Sequence, residues 1–177
     1  MQNRPVADNP AESPTIGGVS SPATTIYRAA VTFLASGAFV GYAPVVPGTA
    51  GSLVGLFVAR STVSSWQYSP AIFLTGFALV FVAACRVADC AERILGQPDS
   101  PAIVIDEILG MIATMLGNPV SWPWLIAGFG LFRLFDILKP WPASRFDRMH
   151  GGAGVMLDDL AAAFYANVAL RFLRVLM

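Results

Sequence analysis

The residues of this chain that could do chemistry are charges set inside apolar runs. Asp106 and Glu107 are adjacent, so on a helix they diverge by about 100°. Gly110 falls on their shared face, where it would let another element approach closely. Arg133, Asp136 and Lys139 recur at intervals of three among Phe129, Leu131, Phe132, Leu134, Phe135, Ile137 and Leu138. Consecutive members of that series stand beside one another on the last turns of a helix. Asp158 and Asp159 follow the run Gly151-Gly152-Ala153-Gly154 and read as opening a final helix, with Ala162 and Ala163 forming a small-residue face for tight packing.

Each pattern has a purely structural account. Acids near a helix start offset the dipole, and an i,i+3 ladder is worth a few tenths of a kcal/mol on an exposed face. The apolar setting argues against that account for Arg133, Asp136 and Lys139, because ionisable groups in apolar segments are costly and mark function by default. Three helices that each place acids near one end would together supply five carboxylates, Asp106, Glu107, Asp136, Asp158 and Asp159. That is a hard-oxygen set suited to magnesium. His150 is the only histidine, which excludes a zinc site built on histidines. Pro47-Gly48-Thr49-Ala50-Gly51-Ser52 is a separate polar island. Its glycines free backbone amides for an anion, and Ser52 could cap the helix that follows. No GxxxxGK[ST] run is present, so no nucleotide-binding loop is expected.

The elements that would position these groups follow from composition. Of 177 residues, 55% are hydrophobic and 12% charged, about half the charged fraction of roughly 25% usual in soluble domains. Eleven basic residues balance eleven acidic ones, so no positive surplus exists to hold a nucleic acid. The abundance of apolar surface excludes disorder across the whole chain. Cys85 and Cys90 stand in an apolar stretch and read as small core residues rather than a redox pair or zinc half-site.

Residues 1–25 carry four prolines among Ser, Thr, Asn and Gly. They read as a disordered tail rather than a signal peptide, so insertion would rely on internal apolar segments. From there the spacing predicts helices over residues 27–42, 52–60, 70–86, 102–116, 124–138 and 155–176. Prolines and glycines lie between them and period-2 alternation is missing. The expectation is all-α: a compact multi-helix bundle, membrane-embedded or membrane-associated, with about four apolar membrane segments. The basic connector with Lys139, Arg145 and Arg148 is expected on the cytoplasmic side.

The ordered series Pro47-Gly48-Thr49-Ala50-Gly51-Ser52, Asp106-Glu107-Ile108-Leu109-Gly110, and Phe132-Arg133-Leu134-Phe135-Asp136-Ile137-Leu138-Lys139-Pro140-Trp141-Pro142 resembles the phosphatidylglycerophosphatase A family. The run Phe146-Asp147-Arg148 through Gly151-Gly152-Ala153-Gly154-Val155-Met156-Leu157-Asp158-Asp159 extends the resemblance, which covers about residues 28–177. Two small departures are Ala163, where some relatives have glycine, and Ala38-Phe39, which replaces a more polar pair and could alter how a lipid enters.

The resemblance implies an all-helical, membrane-bound, magnesium-dependent phosphatase in the bacterial inner membrane, its site facing the cytoplasm. The implied reaction converts phosphatidylglycerophosphate to phosphatidylglycerol and phosphate. Asp106, Glu107, Asp136, Asp158 and Asp159 would hold or orient one or two magnesium ions. Asp106, Glu107, Asp136 and Asp159 form the expected catalytic set, with one carboxylate free of metal acting as general base. Arg133 and Lys139 would bind phosphate oxygens, and Thr49, Gly51 and Ser52 would donate further hydrogen bonds. The expected partners are a lipid phosphate and membrane lipid. Motifs of haloacid-dehalogenase, histidine-based and Cys-x5-Arg phosphatases are missing from the sequence. Two alternatives remain from the sequence: a non-catalytic membrane scaffold or ion pathway, and a phosphatase for another lipid phosphate such as phosphatidate.

Overall fold

The computed structural model describes residues 22–149 and 151–177, and all regular structure among them is helical. The helices are α1 Pro22–Ala35, α2 Pro47–Thr62, α3 Pro70–Leu95, α4 Ile105–Met115, α5 Trp122–Leu138, α6 Ala143–Phe146 and α7 Gly152–Leu176. The expected tail lies largely outside the described residues. Its last four residues, 22–25, belong instead to the first turn of α1. His150 also lies outside them.

Local chemistry explains most boundaries. Proline opens α2 and α3, where its missing N–H costs nothing and its fixed φ suits the first turn. Ser69 caps α3 by accepting from the Ile72 N–H at 3.4 Å. Gly96, left-handed at φ 68°, ends it. Helix α3 therefore runs nine residues past the expected stop at residue 86. The charged stretch continues the helix, with Arg93 paired to Asp89 at 2.6 Å one turn away. The helix expected over residues 27–42 is broken at Gly37, Ala38 and Phe39, whose φ angles are 55°, 58° and 68°. A short 3-10 turn, Val40–Tyr42, follows.

Helix α7 is the centre of the bundle and packs against α3, α4, α5 and α6, while α2 lies on α4 and α5 and α1 on α3. Ala162, Ala163 and Ala166 on α7 are fully covered, allowing close backbone approach. Met111, Met115, Leu125, Phe132, Met156 and Leu170 fill the space around them. Gly110 makes the expected close approach: a β-carbon there would stand 2.6 Å from the Phe132 ring of α5. The far end of α4 is held from α7, where Asn167 Nδ2 donates to the Thr114 and Leu116 carbonyls at 2.8 Å each.

Among the described residues two helices, α3 and α7, are long and apolar enough to cross a membrane, rather than the four segments expected. Only 11% of the apolar window of α3 is buried, against 44% for α7. The other apolar runs fall short for separate reasons. The first is split by the Gly37 turn, α4 has 11 residues and is mostly buried, and α5 has 17 residues. About 20 residues are needed to cross the hydrocarbon core.

Candidate active site

Four helix ends meet at one end of the bundle: the starts of α2, α4 and α7 and the finish of α5. Asp106 and Glu107 stand in the first turn of α4. Asp159 comes from the second turn of α7, which begins at Gly152, so Asp158 and Asp159 do not open that helix as expected. One carboxylate oxygen from each of Asp106, Glu107 and Asp159 lies within 4.8 Å of the others. Asp106 and Asp159 are buried, and Asp106 Oδ1, Glu107 Oε2 and Asp159 Oδ2 lack any hydrogen-bond partner.

Leaving three buried carboxylate oxygens unsatisfied is expensive in a protein interior. Burial raises the Asp106 carboxyl well above the usual aspartate range, and the charges of Glu107 and Asp159 add to it. Glu107 is raised by burial too, with Asp136 adding to the shift and Arg133 opposing it. Hard-oxygen donors clustered this closely, with unpartnered oxygens among them, fit a divalent cation such as magnesium.

Asp136 and Asp158 are placed differently from those three. Asp136 Oδ2 pairs with Arg133 Nη1 at 2.6 Å while remaining beside Asp159. Asp158 Oδ2 lies 2.8 Å from Lys139 Nζ, and its Oδ1 accepts from the Asp159 backbone N–H at 2.9 Å. Lys139 also bridges to Asp147, a partner that sequence reasoning did not assign. Burial opposes the Lys139 charge, but its bonds to Asp147 and Asp158 outweigh that and raise the ammonium above the ordinary lysine range. A cleft of about 380 Å³ adjoins this trio, lined by Asp99, Asp147, Arg148 and Asp158 among others.

The polar island supplies the wall facing α4. Because α2 already begins at Pro47, Ser52 lies in its second turn rather than at a cap. The Ser52 hydroxyl donates to the Gly48 carbonyl at 2.9 Å and accepts from Arg133 Nη1 at 3.4 Å. Gly51 is buried with its α-carbon turned to Val104, which is a packing contact between α2 and α4. Thr49 sits in the first turn, its N–H donating to the Val46 carbonyl at 3.0 Å. The residue that meets the acids is Gly48: a β-carbon there would collide with Glu107 Oε1 and stand 3.5 Å from Arg133 Nη1. The PGTAGS run contained that signal, but sequence spacing could not say which of its glycines faced the acids.

Fold and site together define an all-helical protein that gathers acidic oxygens, an arginine and a lysine at one end of a bundle with two apolar helices of spanning length. A sequence model of the family described as Phosphatidylglycerophosphatase A matches residues 33–174. The chain belongs to the phosphatidylglycerophosphatase A family, whose relatives carry the name of a phosphoric monoester hydrolase. It is 37% identical over 143 residues to Phosphatidylglycerophosphatase A of Escherichia coli (strain K12), covering 79% of this chain and 81% of that one. The Haemophilus influenzae protein of the same name is 37% identical over 142 residues, covering 79% and 86%. A Bacteroides thetaiotaomicron protein, provisionally named a phosphatidylinositol-3-phosphatase, is 33% identical over 144 residues, covering 76% and 87%. No solved structure matches the chain.

Proposed function

We propose that this protein is a magnesium-dependent lipid phosphatase that hydrolyses phosphatidylglycerophosphate to phosphatidylglycerol and phosphate. The observation that carries the reading is the cluster of Asp106, Glu107 and Asp159, each with a buried, unpartnered carboxylate oxygen, beside Arg133, in a member of this family. Those three residues would hold the metal. When bound, magnesium supplies Lewis-acid polarisation of the phosphoryl oxygens and a lowered water pKa.

The remaining steps belong to the protein's own side chains. Arg133 uses Nη1 for Asp136 and Ser52, so its other N–H groups can grip phosphate oxygens. Asp136 takes the proton of the attacking water on its carboxylate and returns it to the leaving glycerol oxygen. Water oxygen thereby bonds to phosphorus as the ester P–O bond breaks. Lys139, held by Asp147 and Asp158, supplies positive charge at the edge of the site. Thr49 closes the wall beside the phosphate, and the buried Ser52 hydroxyl steadies Arg133 from behind.

The two apolar helices support a membrane setting. With bacterial relatives, we place the protein in the inner membrane, its acidic end toward the cytoplasm and the basic connector of Arg145 and Arg148. A second lipid phosphate is favoured by one observation, the different substrate in the name of the Bacteroides relative. The test is phosphate release from phosphatidylglycerophosphate, phosphatidate and phosphatidylinositol 3-phosphate by the purified protein, with magnesium and with chelator. Preferential, chelator-sensitive hydrolysis of the first is expected. Metal-independent release, or none, would overturn the proposal.

A further inference from the structure

The geometry points to the connection between α1 and α2 as the seat for the acyl chains of the lipid whose phosphate Arg133 would hold beside the acidic cluster. The inference rests on the phosphatase reading and adds the part of the substrate that the charged cluster does not touch. Val45 and Val46 form the tip of this connection and are 72% and 61% exposed. Pro47 follows directly, and then Gly48, which lies against Glu107. The apolar tip and the charged cluster are therefore consecutive along the backbone.

The backbone adds an independent observation. Among the described residues, the non-glycine positions with positive φ are Ala38, Phe39, Val46, Asp99 and Lys139, all in connections at the acidic end. A β-branched residue at the 45° of Val46 is a steric outlier, and such outliers gather at functional sites. Glycine would hold this turn without that cost. What valine adds is an apolar side chain, and its exposure means that the protein's own core does not use it.

The surface around the tip fits a two-part ligand. Phe39 stands 5.4 Å from Phe33 and 6.2 Å from Tyr42, ring centre to ring centre, adding aromatic surface to the same connection. Trp141 is exposed on the connection after α5. No charge occurs in residues 29–59, so the tip offers nothing to a water-soluble phosphate ester. An acyl chain would cover it and remove apolar surface from water. The departure at Ala38-Phe39 thus lies in the segment that would meet the lipid.

The test compares two substrates in mixed micelles, dioleoyl phosphatidylglycerophosphate and its deacylated headgroup, using the full-length purified protein. For V45S/V46S, the ratio of kcat/KM between diacyl and deacylated substrates is expected to fall about tenfold, through KM, as contact with the chains is lost. Val45→Leu, which keeps the apolar surface, should preserve the ratio. Flotation with phosphatidylcholine vesicles should stay within about twofold of wild type, since α3 and α7 are untouched. A ratio within twofold of wild type overturns the proposal, as does a parallel fall in flotation, which would make the tip a general membrane anchor. A wild-type protein inactive on both substrates would instead sink the phosphatase reading, and this proposal with it.

Discussion

The Glu107 carboxylate occupies the space that a β-carbon on Gly48 would need, although the two residues belong to different helices. The start of α2 is thereby fitted over the acid that α4 presents. Gly48→Ala should push Glu107 or the first turn of α2 aside, and overpacking of this kind costs about 1–3 kcal/mol. Phosphatase activity should fall more than tenfold while the protein still purifies folded. Steady-state kinetics beside thermal unfolding checks this, and an alanine variant with wild-type kcat/KM would show that the contact does not matter.

Adjacent aspartates on α7 should respond differently to the same change. Asp159 offers an oxygen to the three-carboxylate group, whereas Asp158 is bound to Lys139. With Asp159→Asn, both activity and magnesium-induced thermal stabilisation should be lost, by roughly a hundredfold or more in rate if the metal site is removed. Asp106→Asn and Glu107→Gln should behave alike. Asp158→Asn should keep most of the magnesium-induced stabilisation. Equal loss at residues 158 and 159 would place Asp158 among the ligands after all.

Acidity should also oppose stability in a particular direction. Asp106 and Glu107 have carboxyls raised by burial, so in the absence of metal the folded state binds protons more tightly than the unfolded chain. For an acid shifted upward, stability falls as pH rises from the unfolded pKa toward the folded one. The window therefore opens near pH 4 and extends upward. In chelator, the thermal midpoint should decline from mildly acidic to neutral pH. Magnesium should restore it, most strongly at the higher pH, with proton release on binding. Calorimetry in two buffers of different ionisation enthalpy would detect those protons, and their absence would contradict a buried, partly protonated carboxylate set.

The all-helical class and the candidate acidic residues were legible in the sequence, the latter because charge is scarce in this chain. Asp106, Glu107 and Asp136 stand out from apolar neighbours, whereas the i,i+3 pair of Arg133 and Asp136 found on α5 is the contact their apolar setting argued against. Their division of labour was not legible. Whether an aspartate faces a lysine or two other acids depends on helix rotation and packing, which brought Lys139 onto Asp158 and left Asp159 to Asp106 and Glu107. The number of spanning helices was overestimated for a related reason. Apolarity in α4 reflects burial against α2 and α7 rather than contact with lipid, and composition alone does not separate those two environments.

Lys139 offers the sharpest separation of structural from catalytic charge. It ends α5 in a left-handed conformation at φ 43°, with its ammonium shared between Asp147 and the largely buried Asp158. Its raised pKa keeps it charged across the neutral range, and because the shift is upward, the stability it contributes is lost only as pH climbs above the ordinary lysine value. Removing one partner of a buried pair strands the other charge, which costs about 3–5 kcal/mol when burial is complete. Lys139 is about one-third exposed, so a smaller loss is expected for Lys139→Met. Combining it with Asp158→Asn should recover most of that stability, because the buried charge is then removed with its partner and the remaining Asp147 is exposed enough to be solvated. If the double variant regains stability but stays inactive, Lys139 also touches the phosphate. If activity returns with stability, the lysine serves only to hold Asp158, and phosphate binding falls to Arg133.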